Sequence, residues 1–534
     1  DHYKTIPSYA HTDKETIDSF IEAGASFSEA ELSPLNRSGD EEGCRFENGN
    51  VYTPKGFKEA YKQYCELGFP SLCADEEFGG QGMPLSLGSA VSEMVGTANW
   101  SFSMYPGLSE GAIRTLEHHG TDEQKQKYLL KLVSGEWTGT MCLTEAHAGS
   151  DLGITRSKAE PNEDGSYAIT GQKIFISAGE HDMADNIVHI VLARLPGAPA
   201  GTKGISLFIV PKFNVNEDGS IGERNTVTCG SIEHKMGIKA SATAVLNFDK
   251  AKGYLIGPEN KGLNCMFTFM NTARIGTAIQ GLTAAELAFQ GGLSYAKDRL
   301  AMRALSGAKA PEQVADPIIV HPAVRNMVLT CKAFAEGGRA LVYYLSQFSD
   351  VVTKGEGESQ AYADQMLSFL TPIAKAFLTE TGYEAANHGV QVYGGHGFIR
   401  EWGMEQCIRD LRISQIYEGT NGVQSQDLIG RKTIKCGGAF IAEYIAEIRD
   451  EVNQLGSDLN FIKDATLDAA TEVESITQYI LEQSKENADY SNGVAVDYLH
   501  AVGLLSFAYM FAKIAAAAKD KSGDFYQNKL ALAQ

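Results

Sequence analysis

The sequence predicts a mainly helical α+β protein. It reads as an N-terminal helical domain (1–140), a central antiparallel β domain (141–258), a C-terminal helical bundle (259–436) and a helical extension (437–534). Three observations carry this. The chain has 534 residues, too many for one hydrophobic core. Apolar residues recur at helical spacing toward both ends, whereas short β-branched and aromatic runs crowd the middle. After residue 259, long amphipathic stretches alternate with polar loops, the pattern of an antiparallel bundle.

The elements follow in order. Thr12 and Glu15 form a capping box ahead of Ile17, Phe20 and Ile21, which share a helical face. Residues 75–85 (DEEFGGQGMPL) are rich in Gly and broken by Pro, hence a loop, and an apolar stretch follows over 87–116. Strands are expected at 167–177 (YAITGQKIFIS), 186–193 (NIVHIVLA), 204–210 (GISLFIV) and 244–248 (AVLNF), with turns at Asp164-Gly165 and Asp218-Gly219. Helical faces return at Ile275–Phe289, at Val324–Cys331 and at Met366–Phe377, the last locally distorted by Pro372. Phe440, Tyr444, Ile445 and Ile448 open the extension, and 494–518 ends in an Ala-rich run that reads as a well-buried helix.

Charge and cysteines narrow the functions. The formal net charge of −21 repels phosphate backbones and argues against nucleic-acid binding. Nine cysteines occur singly with no CxxC, so they read as free thiols in a reducing compartment, not as zinc ligands or a redox pair. No apolar run reaches membrane-spanning length, so no membrane insertion is expected. The sequence lacks GxGxxG, GxxxxGK[ST] and HExxH, and its histidines are scattered, so no metal site is expected. Gly107-Leu108-Ser109-Glu110-Gly111 matches the nucleophile elbow GxSxG, but its surroundings are helical and no parallel sheet follows, so the match is read as chance.

Three segments could carry chemistry. Residues 142–151 (CLTEAHAGSD) combine small residues and hydroxyls that let backbone approach a flat anionic ligand. Residues 391–398 (QVYGGHGF) place two glycines after a helix, and 416–421 (IYEGTN) sets Glu418 before a turn, where a half-apolar setting suits a general base. Taken singly, each is better read as ordinary structure: a polar loop, a helix C-cap, a solvated carboxylate. Their order along a helix–β–helix chain decides. With the Arg299 segment (YAKDRLAMR), they make residues 1–435 closely resemble the flavin-dependent acyl-CoA dehydrogenases.

That resemblance implies FAD bound without a Rossmann fold. Leu143 and Thr144 correspond to isoalloxazine contacts, Gly149 and Ser150 to contacts with the pyrophosphate or adjoining substrate, and Phe175 and Ser177 to the flavin wall. Arg299, Gln391, Gly394 and Gly395 correspond to residues reaching the FAD of a neighbouring subunit, which implies a homodimer or larger, and Thr420 to a residue near the phosphates or ribose. Glu418 matches the base that takes the α proton of the thioester, with Tyr417 and Gly419 beside the substrate. Some relatives carry the base just before the arginine matched by Arg274, and Ala273 stands there in this chain. Phe267, Met270, Asn271 and Arg274 correspond to the CoA side, and Tyr105 and Gly107 to the acyl pocket. Ala146, Phe175 and Met302-Arg303 depart from the usual Pro, Trp and Phe-Gly.

Within the family, PLNRSGD at 34–40, YEGTNGVQ and the extension resemble the 3-methylmercaptopropionyl-CoA dehydrogenase type. The expected partners are an acyl-CoA and an electron-transfer flavoprotein, and the expected compartment is the cytoplasm of a bacterium, with the mitochondrial matrix as the alternative. A medium- or long-chain fatty acyl-CoA dehydrogenase is the alternative reading. A DNA-associated relative is disfavoured by an acidic extension without a Lys/Arg stripe.

Overall fold

In the computed structural model, which describes residues 2–534, the first helix, α1 (Lys14–Phe27), is capped by Asp13. The Asp13 carboxylate accepts from Thr16 N at 2.8 Å, so the expected Thr12–Glu15 box gives way to an acidic cap one residue on. Two compact units divide the chain. One comprises Tyr9–Gly276 with Tyr3, the other Thr277–Gln534 with His2 and Lys4–Ser8.

The first unit continues with α2 (Ser33–Glu42), a small ribbon of β1 (Arg45–Glu47) and β2 (Asn50–Tyr52), then α3 (Phe57–Glu66), α4 (Leu85–Ala98), α5 (Trp100–His119) and α6 (Asp122–Val133). The ribbon lies inside the stretch read as wholly helical. Thr121 and Gln124 form a reciprocal capping box on α6. Strands follow: β3 (Trp137–Cys142), β4 (Lys158–Pro161), β5 (Tyr167–Ser177), β6 (Asn186–Ala193), β7 (Ser206–Pro211), β8 (Phe213–Val215), β9 (Ile221–Arg224), β10 (Val227–Ile232) and β11 (Thr243–Ile256).

Seven of these strands form one sheet in the order β3-β6-β7-β11-β5-β4, with β10 also paired to β11. Most pairs are antiparallel, but β3 runs parallel to β6, Trp137 opposite Asn186 and Cys142 opposite Val191. Residue alternation in β6 and β7 divides the core. Val188, Ile190, Leu192, Leu207 and Ile209 face a core shared with the N-terminal helices, while Val191, Ala193, Phe208 and Val210 face a second core on the other side. Both strands are buried on both faces, which is why they read as unbroken apolar runs.

Helix α7 (Gly262–Asp298) begins in the first unit and ends in the second. The second unit holds α8 (Pro322–Lys354), α9 (Gly357–Tyr393), α10 (Met404–Leu411), α11 (Asn421–Gln426), α12 (Ala439–Asn453), α13 (Asn460–Glu486), α14 (Ala488–Ala518) and α15 (Asp524–Ala533). Pro372 is absorbed within a continuous α9. Helices α7 and α9 approach at Gly281 and Gly382: a Cβ on Gly281 would lie 2.1 Å from Leu378 O, and one on Gly382 2.3 Å from Gly281 O.

The extension helix α14 is long and apolar enough, by length and composition, to cross a membrane. This corrects the expectation that no stretch reaches that length. Here Val502, Leu505, Tyr509 and Met510 are buried as α14 packs on α8, α9, α11 and α13. Gly503 receives the Phe377 ring of α9 so closely that a Cβ would stand 2.5 Å from it.

Candidate active site

In the first unit the segment after β3 is fastened by a buried ion pair. Lys173, from the middle of β5, donates to Glu145 Oε1 at 2.9 Å and to Leu143 O at 3.0 Å. The Glu145 carboxylate also accepts from Ser157 N, Ser157 Oγ and Arg156 N. Burial alone would push this carboxyl up, but the Lys173 ammonium and these donors hold it down at about 2. Glu145 and Ala148 exchange both backbone hydrogen bonds at 2.9 Å, and Ile174 N donates to Thr144 O at 2.9 Å. Leu143 and Thr144 are thereby held half-buried, while Gly149 and Ser150 stay exposed.

Next to this segment β5 bulges. Lys173 pairs with Leu246 and Ile176 with Ala244, so two β5 residues oppose one on β11. Phe175 occupies the bulge at φ 58 and is 59% exposed, a large apolar ring turned outward at a backbone angle costly for a non-glycine residue. Ser177 ends the strand, its carbonyl accepting from Thr140 Oγ1 at 2.6 Å. An outward aromatic face beside open small-residue backbone fits a flat cofactor bearing phosphates.

On α7, Phe267, Met270, Asn271 and Arg274 share one face at i, i+3, i+4 and i+7. Arg274 is 7% exposed, lies 5.9 Å from the Phe267 ring centroid and approaches Asn271 Oδ1 at 3.4 Å. Gly107 lines a cavity of about 80 Å3 together with Tyr64, Val91, Ser103 and Glu110.

Tyr105 is not among that cavity's lining residues. It is wholly buried, its hydroxyl donating to Ala240 O at 3.0 Å and accepting from Ala242 N at 2.9 Å. These bonds tie α5 to the segment before β11. Ser109 lies inside α5, buried, its Oγ accepting from Gly139 N at 3.0 Å. It stands on no strand-to-helix turn, which removes the serine-hydrolase reading.

In the second unit Glu418 has φ 57 and Gly419 φ 82, two successive left-handed residues. Such a bend persists only where neighbours hold it. Gln424 Nε2 donates to Glu418 O at 3.1 Å, and Lys375 Nζ donates to Gly419 O at 2.7 Å and Asn421 Oδ1 at 2.9 Å. Thr420 caps α11 by accepting from Val423 N at 3.1 Å. Tyr417 donates to Gln280 Oε1 at 2.5 Å, and Gln280 donates on to Asp410 O. Glu418 is half-buried.

Arg299, Gln391, Gly394 and Gly395 are all exposed. Tyr295, four residues before Arg299, stacks on Tyr393 at 4.3 Å, and Tyr295 OH meets His396 Nδ1 at 2.9 Å, which brings the two segments together. A Cβ at Gly394 or Gly395 would meet nothing within 4 Å, so the backbone here is open to a ligand.

The nine cysteines are free thiols, and burial pushes Cys44 and Cys65 up to about 11 and Cys331 and Cys407 up to about 12. Lys173 in the first unit, and Lys375 and Gln280 in the second, brace these segments but escaped the sequence reading, and Asn421 and Gln424 lay in quoted motifs without an assigned role. The available signal was a lysine inside an otherwise apolar run, at Lys173 in KIFIS and Lys375 in PIAKAFL.

Three family descriptions match the chain in order: "Acyl-CoA dehydrogenase, N-terminal domain" over residues 14–136, "middle domain" over 140–251 and "C-terminal domain" over 260–433. "Acetyl-CoA dehydrogenase C-terminal like" matches 440–534. The chain is 42% identical over 538 aligned residues to a 3-methylmercaptopropionyl-CoA dehydrogenase of Ruegeria pomeroyi, covering 99% of this chain and 91% of that one. It is 35% identical to a broad-specificity linear acyl-CoA dehydrogenase of Mycobacterium tuberculosis, covering 91% and 83%. Its fold matches the crystal structure of an acyl-CoA dehydrogenase complexed with FAD from Bacillus anthracis, with TM-score 0.80 at 23% identity, over 98% of this chain and 85% of that one.

Proposed function

The chain belongs to the acyl-CoA dehydrogenase family, and from that premise we propose that it converts an acyl-CoA thioester to the trans-2-enoyl-CoA with Glu418 as base. FAD is the family's cofactor, and when bound it supplies at N5 an acceptor for the hydride leaving the β-carbon.

The observation that carries the reading is the Glu418 bend. A carboxylate at φ 57, braced through Gln424 and Lys375, is the kind of strained, over-determined residue that marks reacting positions. In this reading Glu418 removes the proton from the carbon beside the thioester carbonyl. Its own main-chain N–H stabilises the oxygen on which charge then develops. Leu143, Thr144, Phe175 and Ser177 cover the flavin ring, Gly149, Ser150 and Thr420 take its polar chain, and Arg299, Gln391, Gly394 and Gly395 serve the cofactor of a second copy in a homodimer or larger assembly. Arg274, with Phe267, Met270 and Asn271, holds the CoA portion, and Tyr417, Gly419 and Gly107 border the acyl group.

The substrate is 3-methylmercaptopropionyl-CoA or a similar acyl-CoA, a reading supported by 42% identity to a relative of that name across the extension as well as the core. A medium- or long-chain fatty acyl-CoA is the second reading, favoured by the relative named for linear acyl-CoAs. Electrons pass on to an electron-transfer flavoprotein, in the cytoplasm of a bacterium.

The test is anaerobic bleaching of the FAD-loaded protein with a panel of thioesters. Fastest bleaching is expected with 3-methylmercaptopropionyl-CoA. Faster bleaching by palmitoyl-CoA or octanoyl-CoA selects the second reading, and no bleaching by any acyl-CoA contradicts both.

A further inference from the structure

A line of polar side chains joins the extension to the loop that carries Glu418. His500, on α14, pairs through Nε2 with Glu380 Oε2 on α9. The other Glu380 oxygen accepts from Asn421 Nδ2 at 2.9 Å. Asn421 Oδ1 accepts from Lys375 Nζ at 2.9 Å, and the same ammonium donates to Gly419 O at 2.7 Å. Thr379 Oγ1 bonds Asn421 within the same cluster, at 3.1 Å from Nδ2. The last link grips the carbonyl of the residue directly after Glu418.

Charge runs along the same line. Lys375 is completely buried, and a buried ammonium must be compensated. Two of its partners, the Gly419 carbonyl and the Asn421 amide, are neutral. The carboxylate of Glu380, one residue further on, feels the Lys375 charge, and His500 pairs with Glu380 in turn. Among the other ionisable groups on these elements, Asp497 acts on His500 from α14 and Lys375 acts on Glu380 from α9. Glu384 lines the same cleft of about 530 Å3 as Glu380 and His500. Burial opposes both charged forms, yet the pairing raises His500 and lowers Glu380, so the ion pair favours its charged state.

We propose that His500 is a positioning residue: through Glu380, Asn421 and Lys375 the C-terminal extension holds the Gly419 carbonyl and so sets the bend at Glu418. The catalytic consequence rests on the reading of Glu418 as base; the mechanical link does not.

The experiment uses the full FAD-loaded chain and four variants: Glu418→Gln, Glu380→Gln, His500→Gln and His500→Lys. Amide hydrogen exchange across residues 415–426 reads the loop. The rate of flavin bleaching at saturating acyl-CoA, with KM, reads the chemistry. His500→Gln and Glu380→Gln are expected to speed exchange at the loop while α14 stays protected. They should slow bleaching by about 10- to 100-fold with KM nearly unchanged, as for a sub-ångström misplacement of a reacting group. His500→Lys, which keeps a cation opposite Glu380, should restore both. Wild-type exchange at 415–426 in His500→Gln and Glu380→Gln would overturn the proposal. Normal bleaching by Glu418→Gln would overturn the base assignment alone, because the exchange result still decides whether the extension holds the loop.

Discussion

Lys173 and Glu145 meet at 2.9 Å with side-chain exposures of 0% and 5%, and between them they anchor the segment that carries Leu143, Thr144, Gly149 and Ser150. Each ion satisfies backbone as well as its partner: Lys173 the Leu143 carbonyl, Glu145 the Arg156 and Ser157 amides. The pair therefore shapes the loop as well as tying it to β5.

Breaking the pair from one side should be costly. Lys173→Met leaves a buried carboxylate without its cation, and a loss of about 3–5 kcal/mol is expected. Chemical denaturation would measure it, and retained FAD after gel filtration would report whether the loop still holds cofactor. The double variant Lys173→Met, Glu145→Leu should recover much of the stability but not the FAD.

The same pair fixes an acid limb. Glu145 titrates at about 2 when folded, below its ordinary 4.5. Its contribution is thus fully present above pH 4.5 and is lost as pH falls toward 2. Unfolding free energy measured down through this window should fall more steeply for the wild type than for Glu145→Gln.

Gly419 tests the bend. At φ 82 a side chain is strained, and a Cβ would also stand 2.5 Å from Gln424 Nε2, the group that holds the Glu418 carbonyl. Gly419→Ala should cost about 1–2 kcal/mol in stability. Steady-state kinetics should show it in kcat more than in KM, because the change displaces the base and not the CoA contacts.

The extension is part of the helical unit, and Gly503 tests that. Gly503→Leu drives a branched side chain into the Phe377 ring and should destabilise by about 1–3 kcal/mol, read as a lowered Tm.

Much of this was legible in the sequence where one physical signal dominated. Strands β5 and β6 fall on the residues where the runs YAITGQKIFIS and NIVHIVLA begin and end, because burial and β-branching agree there. The motif around Glu418 was legible through resemblance. What stayed hidden depends on partners distant in sequence. The parallel pairing of β3 with β6 has no local signature, and the short strands β8 and β9 bury too few residues to show a period. Nothing local to Tyr105 reveals that its hydroxyl is bonded to Ala240 and Ala242. Asp13 displaced Thr12 as cap because either side chain suits that position and only backbone geometry selects between them.

The central claim is that Glu418 removes the α proton. Stopped-flow reduction of FAD-loaded Glu418→Gln by an acyl-CoA that bleaches the wild type tests it most directly. The account requires a protein that keeps its FAD and binds the thioester yet shows a reduction rate lower by several powers of ten. Reduction at or near the wild-type rate would contradict it.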